Sequence, residues 1–349
     1  MDMSDANPGA ALVADVLEDR YGLVVDVIEP VPIGTDTINR RVLTMDGLRL
    51  FVKEYRSTAD VDAARATWDM SEYCRAAQLP IPRVRPDLDG DLVTIAEGSA
   101  WAVTDEAPGR VATSAMTVAL AEDIGVVMGR MHRVLAAYPM PQRVQQSRWR
   151  TITATEAAAR CTKVLAMAAR HGHDQLEQLR SDLDQRREDL QKHTSRLRQR
   201  LPHTLVEQAL HADLTRTNLI VLAESVTGVI DFRGVRAMPA WELGRAAFDP
   251  RTVAHSTEWI ACVQAMVAAY CSENPSLPLP EVRACARIAL LYLLFSFYGA
   301  TTTEYGLPHE AETDLKQHWH DRQSTIRLLL NHLDDLDDAL SALAPGGRS

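Results

Sequence analysis

Alternating and helical hydrophobic spacing occupy separate stretches of this chain, and that segregation limits the folds open to it. Tyr21 to Val31 is rich in valine and isoleucine and ends at Pro32. Arg40–Met45 and Leu48–Tyr55 alternate on either side of Asp46-Gly47, a strong hairpin signal. Asp91–Ile95 and Ala100–Thr104 form a second such pair around Glu97-Gly98. One helical stretch, Ala59–Ala77, lies between the hairpins and stops at Leu79-Pro80-Ile81-Pro82. After Gly109 the spacing becomes helical over Met116–Ala136, Ala154–Arg200 and Trp241–Leu343, with breaks at Asn274–Pro280 and Gly306–Pro308. The highly charged stretch 174–200 reads as the solvated part of a helical hairpin. Strands return briefly at Thr204–Leu210, Leu219–Leu222 and Val226–Asp231. A doubly wound fold needs strands and helices in steady alternation, so it is excluded. The expected organisation is α+β: an N-terminal lobe over 1–104, a connection over 105–109 and a larger, mainly helical lobe over 110–349.

Charge and cysteine usage narrow the function. The chain has 37 basic and 47 acidic residues among 349, a formal charge of −10. Binding to nucleic acid or to an anionic membrane needs a basic surface, so neither is expected as a partner. The longest mainly apolar run, Ile288–Tyr298, is too short to cross a bilayer. The five cysteines have irregular spacing and no C-x-x-C. Together with an N-terminus lacking a basic segment before an apolar one, this points to reduced thiols and a cytoplasmic location. Lysine occurs only at 53, 163, 192 and 316, so a lysine in an apolar strand is conspicuous here.

Chemistry concentrates in the brief return of strands. The segment Leu210-His211-Ala212-Asp213-Leu214-Thr215-Arg216-Thr217-Asn218-Leu219-Ile220 is followed by Val229-Ile230-Asp231-Phe232-Arg233-Gly234. Asp213 lies on a polar loop, Asn218 five residues on, and Asp231 at the end of a neighbouring strand. A carboxylate and an amide oxygen suit Mg²⁺, a hard cation that also takes substrate phosphates as ligands. The other carboxylate is placed to accept a proton from an attacking hydroxyl.

His-x-Asp-x-x-x-x-Asn followed by Ile-Asp-Phe resembles the catalytic segment of the aminoglycoside phosphotransferase and choline kinase-like family, small-molecule relatives of protein kinases. Two further pieces are similar and fall in the family's order. Gly125-x-x-Met128-Gly129-Arg130-Met131-His132 resembles its helix ending in Leu-His, and Pro239-Ala240-Trp241-Glu242-Leu243-Gly244 its Pro-x-Tyr-Asp-Leu-Ala. The resemblance spans roughly residues 30–250. It implies a protein-kinase-like two-lobed fold in which Asp213 is catalytic, Asn218 and Asp231 hold Mg²⁺, and Lys53 positions the α- and β-phosphates. ATP or GTP is then the donor. By the same resemblance Gly34 and Thr35, in the turn 32–39, lie over the phosphates, and backbone atoms of Asp105 and Ala107 meet the purine. The helix carboxylate that pairs with such a lysine would be Asp69 or Glu72. His211 supports the loop, and Arg233 either touches a phosphate or braces the loop. Ala212, standing where the family more often has glycine, argues against a positive φ there. The histidines at 318 and 320 fall on different sides of a helix and those at 171 and 173 in a turn, so zinc is not expected.

The acceptor pocket would be built by residues 251–349, which hold twelve acidic and seven basic residues. An acidic cleft would favour a cationic acceptor, although four of the acids sit together at Asp334-Asp335-Leu336-Asp337-Asp338, a solvated helix end. The first expectation is an antibiotic acceptor, an aminoglycoside or a sugar-bearing nucleoside antibiotic, with resistance as the outcome. The alternatives are a metabolic kinase for homoserine, a sugar or an amino alcohol, and a nucleotide-binding pseudokinase.

Overall fold

The computed structural model describes residues 8–31, 37–55, 58, 61–113, 115–301 and 309–343. In the N-terminal lobe α1 (Pro8–Tyr21) leads into β1 (Val25–Val31), β2 (Thr37–Thr44) and β3 (Arg49–Tyr55), followed by α2 (Val61–Ala76), β4 (Val84–Arg85), β5 (Thr94–Ala96) and β6 (Ser99–Asp105). The sheet is antiparallel in the order β1-β2-β3-β6-β4, with β5 also paired to β6. Both expected hairpins form, with Leu43 opposite Arg49 and Ile95 opposite Ala100. Gly47 takes φ +85 at the first turn, a conformation that L side chains rarely adopt.

β6 is buried on both faces, and its alternation shows why. Trp101 and Val103 join Leu50, Val52 and the α1 residues Val13, Val16 and Leu17 in one core. Ala100 and Ala102 face the other way, against Ala64 and Trp68 of α2. Two helices therefore serve this lobe where the sequence suggested one. The apolar positions 13, 16 and 17 of α1 have helical spacing, but they run directly into the valine-rich strand that follows.

The C-terminal lobe starts with β7 (Arg110–Val111) and α3 (Val118–Leu135), then α4 (Arg148–Thr151), α5 (Ala154–Arg170) and α6 (Leu176–Gln199). Next come β8 (Gln208–Leu210), β9 (Leu219–Leu222), β10 (Ser225–Val229) and β11 (Val235–Ala237). The remaining helices are α7 (Pro239–Ala247), α8 (Pro250–His255), α9 (Trp259–Glu273), α10 (Leu279–Phe295) and α11 (His309–Ala342). Helices α3 and α9 cross where α3 carries Gly125 and Gly129. A Cβ at Gly125 would stand 2.2 Å from the Met266 carbonyl oxygen, and one at Gly129 2.8 Å from that of Tyr270. Small residues let the two backbones touch.

α6 is not simply solvated. Arg186 is 1% exposed and donates to the carbonyls of Leu293, Leu294 and Ser296 and to Gln323 Oε1. These bonds cap the end of α10, which stops at Phe295, before the apolar run ends and where no break was expected. The break expected at 306–308 lies outside the described residues. No helix among them is long and apolar enough to cross a membrane, and all five cysteines carry free thiols.

Two small sheets carry the chemistry-bearing segments. β10-β9-β7 form one and β8 pairs with β11, a strand not anticipated, in the other. β7 joins β9 through Arg110–Val221 and Val111–Ile220 pairing. Just before it, Gly109 has φ +118, and a Cβ there would meet the Val221 carbonyl oxygen at 2.3 Å. That turn requires glycine.

Candidate active site

The loop after β8 is fixed mainly through its backbone. Asp213 O accepts from Thr215 N (2.8 Å) and from Asn218 Nδ2 (2.8 Å). His211 is buried between Asp213 N, 3.1 Å from its Nδ1, and Ile230 O, 2.8 Å from its Nε2. Nδ1 must accept and Nε2–H donate, which describes a neutral ring, and burial indeed pushes its pKa down. This is a supporting role, as expected. Contrary to expectation, Ala212 has φ +67 although it is not glycine, and Asp231 has φ +62. Each costs on the order of 1–2 kcal/mol and persists because the surrounding bonds over-determine it.

The two outlying motifs meet beneath this loop. His132, from the end of α3, and Glu242, from α7, are fully buried with Nε2 3.0 Å from Oε2. His132 Nδ1 meets the Tyr270 hydroxyl at 2.9 Å, and Leu214 N lies 3.4 Å from Glu242 Oε1. Burial would raise the Glu242 pKa; the hydrogen bond with His132 and the charge of Arg245 more than offset it, so the net direction is down. Glutamate in place of aspartate thus still reaches the histidine.

The Asp213 carboxylate lies between two guanidiniums. Oδ1 is 3.2 Å from Arg245 Nη2 and Oδ2 is 3.2 Å from Arg233 Nε. Burial pushes its pKa up, but Arg245 and then Arg233 pull harder and the net shift is down. The group is therefore a carboxylate at neutral pH. Arg233 braces this carboxylate, and its own N–H donates to His211 O. Arg245, one residue beyond the Pro239–Gly244 motif, was not singled out from sequence. Its guanidinium lies over the rings of Trp241 and Tyr292, 4.9 and 5.1 Å from their centroids.

Lys53 sits on β3 between Asn39 of β2 and Ala102 of β6. Its ammonium reaches across the lobes to Asp231 Oδ1 and lies 5.6 Å from the Trp68 ring centroid. Burial pushes its pKa down to about 8. Neither expected helix partner meets it. Glu72 accepts from Arg75 Nε (2.7 Å) and Val84 N (2.8 Å), bracing β4, and Asp69 is exposed. The Trp68 ring occupies the side of α2 that faces the lysine.

Asp231 and Asn218 are tied through the Ile230 N to Asn218 O bond, 3.0 Å. Asn218 spends its Nδ2 on the loop, which leaves the amide oxygen as its other polar end. An amide oxygen and a carboxylate, both hard donors, fit a magnesium ion that takes its other ligands from phosphates and water. In the connection, Asp105 N is already bonded to Arg83 O (2.9 Å) and its side chain to Arg85 (2.6 Å), so of its backbone only the carbonyl can face a ligand. Ala107 N–H has no partner among the described residues, and the Ala107 methyl fits above Gly228, where a Cβ would be 2.6 Å away. Gly34 and Thr35 lie outside the described residues.

No curated protein matches the chain in sequence. Solved structures do share the fold. An aminoglycoside phosphotransferase from Alicyclobacillus acidocaldarius superposes with a TM-score of 0.59 at 12% identity, over 97% of this chain and 98% of that one. A microcompartment-associated aminopropanol kinase gives 0.57 at 15% identity, over 94% and 98%. An amicoumacin kinase, solved with AMP-PNP and Ca²⁺, gives 0.54 at 14%, over 91% and 93%. The two-lobed arrangement is thus the kinase-like one. The model of the phosphotransferase enzyme family matches residues 27–285, a stretch that takes in Lys53, the Asp213–Asn218 turn, Asp231 and both motifs beneath them, and the chain belongs to that family.

Proposed function

We propose that this protein transfers the γ-phosphate of ATP or GTP to a hydroxyl of a small molecule. The observation that carries the reading is the convergence of Lys53, from the other lobe, on Asp231, in a segment hydrogen-bonded to the turn that holds Asp213 and Asn218. Residues 1–104 and 110–349 act as the two lobes and 105–109 as their connection, with the Asp105 carbonyl and the Ala107 N–H facing the purine edge. Lys53 holds the α- and β-phosphates as a compact point charge. Asn218 and Asp231 would hold Mg²⁺, which supplies neutralisation of phosphate charge. Asp213 accepts the hydrogen bond of the acceptor hydroxyl and takes its proton. The hydroxyl oxygen forms the new P–O bond as the bond to the nucleoside diphosphate breaks. A carboxylate with a lowered pKa is a weak base, which suits a reaction governed by positioning and charge stabilisation.

Reduced thiols and a nucleotide donor suit a cytoplasmic enzyme. Within the antibiotic reading, guanidiniums beside Asp213 suit a sugar-bearing nucleoside better than a polycationic aminoglycoside. The same guanidiniums favour the second reading, a metabolic kinase. Asp213→Asn should lower nucleotide-dependent phosphate transfer by roughly 10²–10⁴-fold while nucleotide affinity persists. Unchanged turnover would refute the assignment.

A further inference from the structure

Near Asp213 lies a buried cation with no ion-pair partner among the described residues. Arg322, on α11, is 3% exposed. Its Nη2 is 3.1 Å from His318 Nε2, and its Nε and Nη1 have no hydrogen-bond partner among the described residues. A lone buried guanidinium is costly, and buried donors left unsatisfied call for an explanation. His318, one turn back on α11, compounds the oddity. Burial, then Arg322 and Arg251, push its pKa down to about 3, so the ring is neutral. Since Nε2 accepts from Arg322, the proton is on Nδ1, which is buried and also unpartnered.

The acidic groups described around this cluster hold other partners. Asp213 is held by Arg245 and Arg233, and Asp314 by Arg251 at 2.6 Å. Asp249 is the N-cap of α8 and accepts from Arg251 N. The four acids at 334–338 lie toward the far end of α11, away from this place. Arg322 and Arg245 both lie against the Tyr292 ring, 5.9 and 5.1 Å from its centroid. Burial raises the Tyr292 hydroxyl pKa, but those two guanidiniums outweigh it and the net direction is down. A single aromatic ring thus separates the unpaired cation from the arginine that holds Asp213. The charge of Asp213 acts on Tyr292 as well, so the carboxylate and both arginines are neighbours of one ring.

We infer that the acceptor carries an oxyanion, a carboxylate or a phosphate, bound by Arg322 and His318 Nδ1–H while its hydroxyl meets Asp213. The inference rests on the phosphotransferase reading for the word acceptor, but the anion site stands on its own geometry.

Two measurements separate these claims. The first is nucleotide-dependent phosphate transfer to hydroxy acids and hydroxylated phosphonates, against matched amino alcohols and aminoglycosides. Transfer to the anionic class is expected, with Arg322→Gln raising acceptor KM at least ~10-fold, nucleotide KM unchanged, and Arg322→Lys recovering part of the loss. Transfer confined to the cationic or neutral class overturns the inference and leaves the kinase reading intact. The second is thermal unfolding in malonate against chloride at fixed ionic strength. Malonate should raise the Tm of the wild type and of Lys53→Met, but not of Arg322→Gln. No malonate-specific rise in the wild type overturns the inference. Arg322-dependent malonate binding without any Asp213-dependent transfer would retain the site and end the kinase reading.

Discussion

Asp213 is held by two guanidiniums at the same 3.2 Å, but their side chains are 12% exposed for Arg245 and 62% for Arg233. Unit charges at that spacing interact by about 5 kcal/mol at an effective dielectric of ~20 and by about 1.3 kcal/mol in bulk water. Arg245 works near the first regime and Arg233 near the second. Removing Arg245 leaves the burial of Asp213 opposed mainly by a solvent-screened partner, so the carboxyl midpoint should climb by roughly 1–3 pH units. Arg233→Gln should move it by less than about one unit, in the same direction. Carboxyl ¹³C resonances of aspartate-labelled protein, with Asp213→Asn for assignment, report the midpoint without any acceptor. Folding stability responds to the same shift. In the wild type the folded pKa lies below the unfolded one, so Asp213 contributes stability above the unfolded value, and this is lost as pH falls through the folded value. In Arg245→Met a midpoint above the unfolded value reverses that contribution, and protonation should then favour the folded state. An unmoved Asp213 resonance in Arg245→Met, or a larger shift in Arg233→Gln, would show that Arg245 does not hold this carboxylate.

Gly125→Ala should destabilise by roughly 1–3 kcal/mol, even though alanine is the better helix former by about 1 kcal/mol, because the new methyl meets the Met266 carbonyl; urea unfolding decides the sign. Lys53 has a folded pKa of about 8, below its unfolded value. The unfolded state therefore binds more protons between the two, and stability should rise as pH climbs through that window. Lys53→Met should flatten that slope, and parallel pH profiles for the two proteins would contradict it.

Local chemistry was readable in the sequence wherever it was carried by neighbours along the chain. Asp46-Gly47 specified its hairpin, and the spacing of Asp213, Asn218 and Asp231 marked the loop and strand end that come together. Lys53 could be picked out because lysine is rare here and this one interrupts an apolar strand. Its partner could not, since the Trp68 ring decides which side of α2 faces the lysine. Arg245 and Arg322 were hidden among many arginines, and their meaning depends on Tyr292, which brings together helices far apart in sequence. At Ala212 substitution logic failed for a different reason. A methyl can be held at positive φ when the bonds around it leave the chain no other path, and residue preference alone does not reveal that constraint.

The short β7 strand has a mechanical consequence. It welds the end of the connection to β9, while Thr227 Oγ1 bonds the Pro108 carbonyl and Ala107 rests on Gly228. Whatever docks on the Ala107 backbone is thus anchored to the same rigid block as Asn218 and Asp231. Lys53 travels with the opposite sheet. Any rocking between the halves would lengthen the Lys53–Asp231 span and leave the distance from Ala107 to Asn218 unchanged, like a vice with one fixed jaw and one sliding jaw.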